Sequence, residues 1–279
     1  MPIARPTDLD GALRSLSEIP SAHVLAGGTD AMVEITFGQR RPEHVLALRR
    51  IPELRGHAAD DERLRFGALL TYTQMEHDLA DLAPGLAMAA RTVGSPQIRN
   101  TGTIGGNLGT ASPAGDTLPW LLAMDAEVEL ASVRGRREVA LSDFITGPKR
   151  TAREPDELIT AVHVPRVEGP QHFAKIGPRN AMVISVACFA LILDTTNRRV
   201  RVGMGAVGPT PIRPADAERA VSAEIDWDQL TCPDEAIAGF AEACADAAEP
   251  ISDHRSTADY RRHAVGVLAA RSLRRCLAA

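Results

Sequence analysis

The chain has no pair of cysteines close enough in sequence to clasp a metal. Cys188, Cys232, Cys244 and Cys276 are scattered over 279 residues without a CxxC, whereas zinc and iron–sulfur sites usually show thiolates or imidazoles at short spacing. They read as reduced, mostly buried thiols. No apolar run is long enough to span a bilayer. The longest, Ala181–Leu193, has thirteen residues against the roughly 20 a spanning helix needs, and its β-branched Val183, Ile184, Val186 and Ile192 suit a buried strand. The N-terminus carries no apolar segment of signal type, so a cytoplasmic protein is expected. There is also no basic excess: 31 Lys and Arg stand against 36 Asp and Glu, a net charge of −5, which argues against a nucleic-acid binder. The arginines of "YRRHAVGVLAARSLRRC" read as the solvated face of a last helix, complementing its C-terminal dipole.

Several catalytic signatures are missing. No GxxxxGK[ST] is present, which removes a Walker-type phosphate loop, and neither HExxH nor GxSxG occurs, which removes the commonest zinc and serine hydrolases. The eight histidines show no ligand-like spacing. No repeat or low-complexity segment is visible. "GMGAVG", Gly203–Gly208, matches GxGxxG, but Pro209, Pro211 and Pro214 follow at once. A Rossmann site needs those glycines to open a helix toward the pyrophosphate, and prolines at these positions forbid it.

What is present is ordinary globular composition, 44% hydrophobic and 24% charged, in a chain long enough for one to three domains. Thr7 and Asp10 resemble a capping box before Leu9, Leu13 and Leu16, which share a helical face. Strands are expected in "AHVLAGGTD", "EHVLALRRI", "RLRFGALLTYT" and "ELITAVHVP". Helices are expected over 74–79, 86–92 and "TLPWLLAMDA", and a hairpin about Arg134–Arg136. Pro and Gly near 167–171 mark a boundary. Beyond it the pattern gives strands at 173–176, 181–193 and 199–207 and amphipathic helices at 234–248 and 257–277. The whole reads as α+β.

The densest chemical signal is "RNTGTIGGNLGTASPAGD", Arg99–Asp116, which has five glycines and three threonines in eighteen residues. Glycine contributes nothing to a core, so this stretch is either slack loop or a surface for a ligand. It shares a form with "LAGGTD": Leu25, Ala26, Gly27, Gly28, Thr29 and Asp30 match Gly102, Thr103, Ile104, Gly105, Gly106 and Asn107 in placing adjacent glycines beside a threonine. Successive amides in such turns can converge on an anion. Two such loops suit the two phosphates of a dinucleotide pyrophosphate, and Asp116 suits a ribose or ribityl hydroxyl. Taken singly, each segment is equally a plain turn.

Taken in order, "VLAGGTD", "FGALLTYTQME", "IRNTGTIGGNLGTASPAGDTLPWLLAMDAEVEL", "DELITAVHVP", "FAKIGPRNAMVISVACFAL", "GAVGPTPIR" and "DHRSTADYRRH" closely resemble the FAD-binding subunits of molybdenum hydroxylases. These are the medium subunits of xanthine and aerobic carbon monoxide dehydrogenases. The resemblance implies a two-lobed FAD-binding region of the vanillyl-alcohol-oxidase (PCMH) type over 1–168, with lobes of about 1–55 and 56–168. A smaller α+β domain with a three-stranded antiparallel sheet would follow over 169–279. It implies that Leu25–Asp30 and Thr103–Asn107 form the pyrophosphate loops, that Asp116 contacts the flavin, and that Ile159 and Lys175 line the isoalloxazine, Lys175 near its O2 edge. A cation there would stabilise the anionic reduced ring.

By the same resemblance the partners are a large molybdopterin-binding subunit and a small subunit with two 2Fe-2S clusters, in a dimer of heterotrimers. FAD on this chain would pass electrons to NAD+, a quinone or oxygen, and no residue need act as acid or base. "PQIRN" and "VGPTPIR" lean toward the xanthine type. Two other readings stay open: a stand-alone flavoenzyme on the same fold, and a nucleotide-binding module that moves no electrons.

Overall fold

The computed structural model describes residues 2–279. The chain forms two compact units that are not consecutive in sequence. The first takes residues up to Gln74, Pro96–Ala111 and Ala126–Pro165; the second takes Met75–Ser95, Ser112–Asp125 and Arg166–Ala279.

In the first unit β1 (Ile3–Ala4), β2 (His23–Leu25) and β3 (Val45–Ala47) form a parallel sheet in the order β1-β3-β2. A second sheet is antiparallel, β4-β5-β10-β6-β7, from β4 (His57–Ala59), β5 (Arg63–Gly67), β6 (Glu127–Ser132), β7 (Gly135–Ala140) and β10 (Leu158–Pro165). Strands β8 (Ile145–Gly147) and β9 (Arg150–Thr151) form a separate two-stranded ribbon. Helix α1 (Leu9–Glu18) packs between the sheets, because Leu9, Leu13 and Leu16 recur on one face and meet Leu46, Ala131 and Leu158 in one core. Its cap is Asp8, whose Oδ1 accepts from the Gly11 amide at 2.7 Å, rather than the Thr7 of the expected capping box. Short helices α2 (Ala31–Thr36), α5 (Pro96–Arg99), α6 (Ile104–Thr110) and α8 (Leu141–Phe144) fill the connections, and along α3 (Tyr72–Asp78) the chain leaves this unit.

The second unit is built on the antiparallel sheet β11-β12-β13, comprising β11 (Gln171–Ile176), β12 (Ala187–Asp194) and β13 (Arg199–Gly205). It is joined by α4 (Pro84–Arg91), α7 (Leu118–Ala123), α9 (Ala215–Glu224), α10 (Asp234–Asp246) and α11 (Ala258–Leu277). Phe189 of β12 meets Phe240 of α10 edge to face, 6.4 Å between ring centres, within a core shared by β12, β13 and the last three helices. The "GMGAVG" glycines have a packing reason. A Cβ on Gly203 would stand 1.9 Å from the Pro119 carbonyl oxygen, so they let α7 lie directly on the sheet.

Three details differ from the sequence pattern. Residues 181–186 precede β12 instead of extending it, and Lys175 Nζ donates to the Val183 carbonyl there at 3.3 Å. Helix α9 has no side-chain cap and follows a run of prolines, so no local start signal announces it. Arg261 is not on a solvated face but buried. Its Nη1 donates to the carbonyls of Val186 and Ala206, and its Nη2 pairs with Asp253 at 2.7 Å. The cysteines follow expectation: all are free, and three are buried. Among the described residues no helix is long and apolar enough to cross a membrane.

Candidate functional site

A cleft of about 600 Å³ lies in the first unit. It is bordered by the loop after β2, the exposed edge of α6, and the chain entering β10. Ala26, Gly27, Gly28, Thr29, Asp30, Thr103, Gly105, Gly106, Asn107 and Ile159 all line it. Leu25 holds the loop from behind, pairing with Ala47 and accepting from the Leu48 amide. Gly102 and Ile104 are buried and do not line it.

The two glycine loops do different jobs. In the first, a Cβ on Gly27 would stand 1.9 Å from the Thr101 carbonyl oxygen, and Gly28 sits at φ +78°, where a side chain is strained. The amides of Gly27, Gly28, Thr29 and Asp30 have no acceptor within the protein. Polar backbone groups in such a place normally find a partner, so this loop has the free donors expected of an anion cradle.

The second loop does not repeat the pattern, because it is the first turn of a helix. Thr103 caps α6. The amides of Ile104 and Gly105 donate to the carbonyls of Leu70 and Ala68, and those of Gly106 and Asn107 donate to Thr103 Oγ1 and its carbonyl, all at 2.9–3.0 Å. The expected second set of converging amides is therefore already spent on capping and on the segment that follows β5. Its glycines also divide. A Cβ on Gly102 would press on the Tyr72 ring at 2.7 Å and one on Gly105 on Ala68 at 2.7 Å; one on Gly106 meets only Thr103 Oγ1, and one on Gly109 only Ile159 Cδ1 at 3.6 Å. Gly106 and Gly109 thus leave a side-chain-free strip of helix on the cleft. Thr110 Oγ1 donates to Asp30 at 3.0 Å and ties the two loops together. Thr103→Ala should lower stability by about 1 kcal/mol, the usual worth of an N-cap; urea unfolding measures it, and Thr103→Ser should restore most of the loss.

Asp116 and Lys175 lie in the second unit, and the structure brings them to each other. Lys175 Nζ donates to Asp116 Oδ2 at 2.6 Å, to the Thr92 carbonyl at 2.9 Å and to that of Val183, which occupies all three of its protons. Asp116 also accepts from Ser185 and Thr92. Burial pushes the Asp116 pKa upward, opposed by the Lys175 charge beside it. Ser185, a polar residue inside the run Ala181–Leu193, was the available sign of this pairing.

The cleft also holds charged residues that no motif marked. Glu34 of α2 accepts from Lys149 at 3.0 Å and pairs with Arg40 at 3.1 Å. Arg40 Nη1 lies 3.1 Å from His23 Nδ1, and burial followed by the Arg40 charge holds the His23 pKa down. On the five-stranded sheet, Glu129, Glu138 and His163 converge, the one such His and acid group among the described residues. Arg136 engages Glu129 at 3.1 Å and Arg63 engages Glu138 at 3.3 Å, so arginines already neutralise both carboxylates.

Residues 1–167 match the family of the FAD binding domain in molybdopterin dehydrogenase, and 172–276 match the CO dehydrogenase flavoprotein C-terminal domain. The chain is 34% identical over 286 residues to the putative xanthine dehydrogenase FAD-binding subunit of Escherichia coli, covering 99% of this chain and 95% of that one. It is 39% identical over 183 residues to the nicotinate dehydrogenase FAD-subunit of Eubacterium barkeri, covering 63% and 62%. In structure it resembles a chain of carbon monoxide dehydrogenase from Hydrogenophaga pseudoflava, with a TM-score of 0.90 at 27% identity over 100% of this chain and 97% of that one. Two adjoining domain matches and full-length relatives agree: the chain belongs to the FAD-binding flavoprotein subunits of molybdopterin dehydrogenases, oxidoreductases of the xanthine and carbon monoxide dehydrogenase kind.

Proposed function

We propose that this chain holds FAD in the cleft of its first unit and serves as the electron-transfer subunit of a molybdenum hydroxylase complex. The observation that carries the reading is the set of four unpartnered amides, Gly27 to Asp30, in a loop lining the cleft. A pyrophosphate is the part of FAD that this cradle fits. The bare strip at Gly106 and Gly109 admits close approach where a Cβ would intrude, the Thr103 hydroxyl keeps a proton to donate, and Ile159 gives an apolar wall for a ring. When bound, FAD supplies an acceptor that takes electrons singly and gives them up in pairs. The residues of this chain position it, exclude water from it and set its electrostatics.

The relatives named FAD-binding subunit and FAD-subunit are parts of larger enzymes. By that likeness, a large molybdopterin-binding subunit and a small iron–sulfur subunit are this chain's partners, with NAD+, a quinone or oxygen as final acceptor. The bounds proposed for the two domains are 1–168 for the FAD-binding domain and 169–279 for its C-terminal companion, a reading supported by the matches over 1–167 and 172–276. Purification of the native protein tests this. Co-migration with two other chains and one FAD released per copy are expected. A flavin-free complex would refute the cofactor assignment, and a flavin-loaded chain running alone would favour a stand-alone oxidoreductase.

A further inference from the structure

Around His23 and Arg153, whose charges are near enough to influence each other, the cleft is lined by rigid groups. Pro20, Pro42 and Pro155, the imidazole of His23 and the guanidinium of Arg153 all line it. Arg40 can only donate to His23 Nδ1, so the neutral ring carries its proton on Nε2, which is covered and has no acceptor in the protein. Arg153 is pinned through Nη1, which donates to the carbonyls of Glu154 at 3.1 Å, Pro155 at 3.4 Å and Glu157 at 2.6 Å. Its Nε and Nη2 have no partner in the protein. The acids around it are committed elsewhere: Glu157 takes Arg137 at 2.7 Å, and Asp156 takes Arg134. A guanidinium fixed on one side, whose neighbouring acids Asp156 and Glu157 are bonded to other arginines, keeps a planar edge of donors suited to a flat ring with acceptor nitrogens in its plane.

We propose that this wall recognises the purine of the bound dinucleotide, with Arg153 as the residue that makes the cleft select an adenine-bearing flavin over one without it. The inference rests on FAD as the occupant and adds which wall takes the base and by what contact. The free Arg153 donors meet ring nitrogens of the adenine, and the prolines and His23 flank its faces.

The test compares FAD, FMN and ADP binding to the full chain by flavin fluorescence and competition. Arg153→Met should weaken FAD and ADP at least tenfold and leave FMN unchanged, with the thermal transition recorded for each variant. Arg153→Lys should recover little of the loss, because it restores charge but not the planar donors. Full rescue by lysine, or equal weakening of FMN, would assign Arg153 to a phosphate and overturn the proposal. Should the Arg153 variants fail to fold, the wild-type chain decides: ADP must displace FAD where inorganic pyrophosphate at the same concentration does not. Wild-type FAD binding with an undiminished Arg153→Met sinks this inference alone; a wild-type chain that binds no FAD sinks the cofactor reading beneath it.

Discussion

Gly109→Val should weaken FAD binding at least tenfold while leaving the fold intact, and Gly27→Ala, the smaller change, should damage both. The contrast follows from what each glycine faces. A Cβ on Gly109 has only Ile159 Cδ1 nearby, at 3.6 Å, on the cleft side of α6. Within a helix, valine is no worse than glycine, whose own penalty is about 1 kcal/mol relative to alanine, so the melting temperature should barely move. Two branched methyls would then occupy the strip where the cofactor has to come close. A loss of FAD affinity of at least tenfold, about 1.4 kcal/mol, is expected. At Gly27 the obstacle is the Thr101 carbonyl at 1.9 Å, backbone that cannot rotate aside. Forcing a methyl in must part the loop from the turn before α6, at roughly 1–3 kcal/mol of overpacking. Thermal unfolding together with FAD titration separates the cases; unchanged FAD affinity in Gly109→Val would remove α6 from the site.

The second large effect is expected at Lys175. The Lys175 and Asp116 side chains are 10% and 7% exposed, so Lys175→Met leaves a carboxylate buried with only hydroxyl partners. Breaking a buried pair from one side costs about 3–5 kcal/mol, whereas Lys175→Met with Asp116→Asn should recover most of it. The pH dependence has a definite sign. Burial already raises the folded-state pKa of Asp116, and losing the ammonium raises it further. A carboxyl with a raised folded pKa is stabilising in its protonated form, and that stability is lost as pH rises from the ordinary Asp value of ~3.9 through the folded value. The deficit of Lys175→Met against wild type should therefore shrink as pH falls from neutrality toward 4. A deficit independent of pH, or an additive double variant, would show that the two residues do not depend on each other.

Much of the fold was legible because its elements advertise themselves locally. Leu9, Leu13 and Leu16 mark α1, the alternation around Arg134–Arg136 marks the β6–β7 hairpin, and β11 to β13 stand out as apolar runs. The glycine stretch was legible as a candidate site but not as a helix. Glycine has nearly the poorest helix propensity, and what holds α6 is the Thr103 cap together with amide bonds to Ala68 and Leu70, which lie more than thirty residues earlier in the chain. For the same reason the sequence could not separate Gly27 and Gly105, on which backbone presses, from Gly106 and Gly109, on which no backbone does. The Lys175–Asp116 pair, fifty-nine positions apart, and the pinned Arg153 depend on tertiary placement that no local spacing encodes.

The most direct measurement is a crystal structure of the full chain with FAD bound. The pyrophosphate is expected against the amides of Gly27 to Asp30, with the Gly106–Gly109 edge of α6 in contact with the cofactor. FAD seated elsewhere, with those four amides still unpartnered, would contradict the assignment.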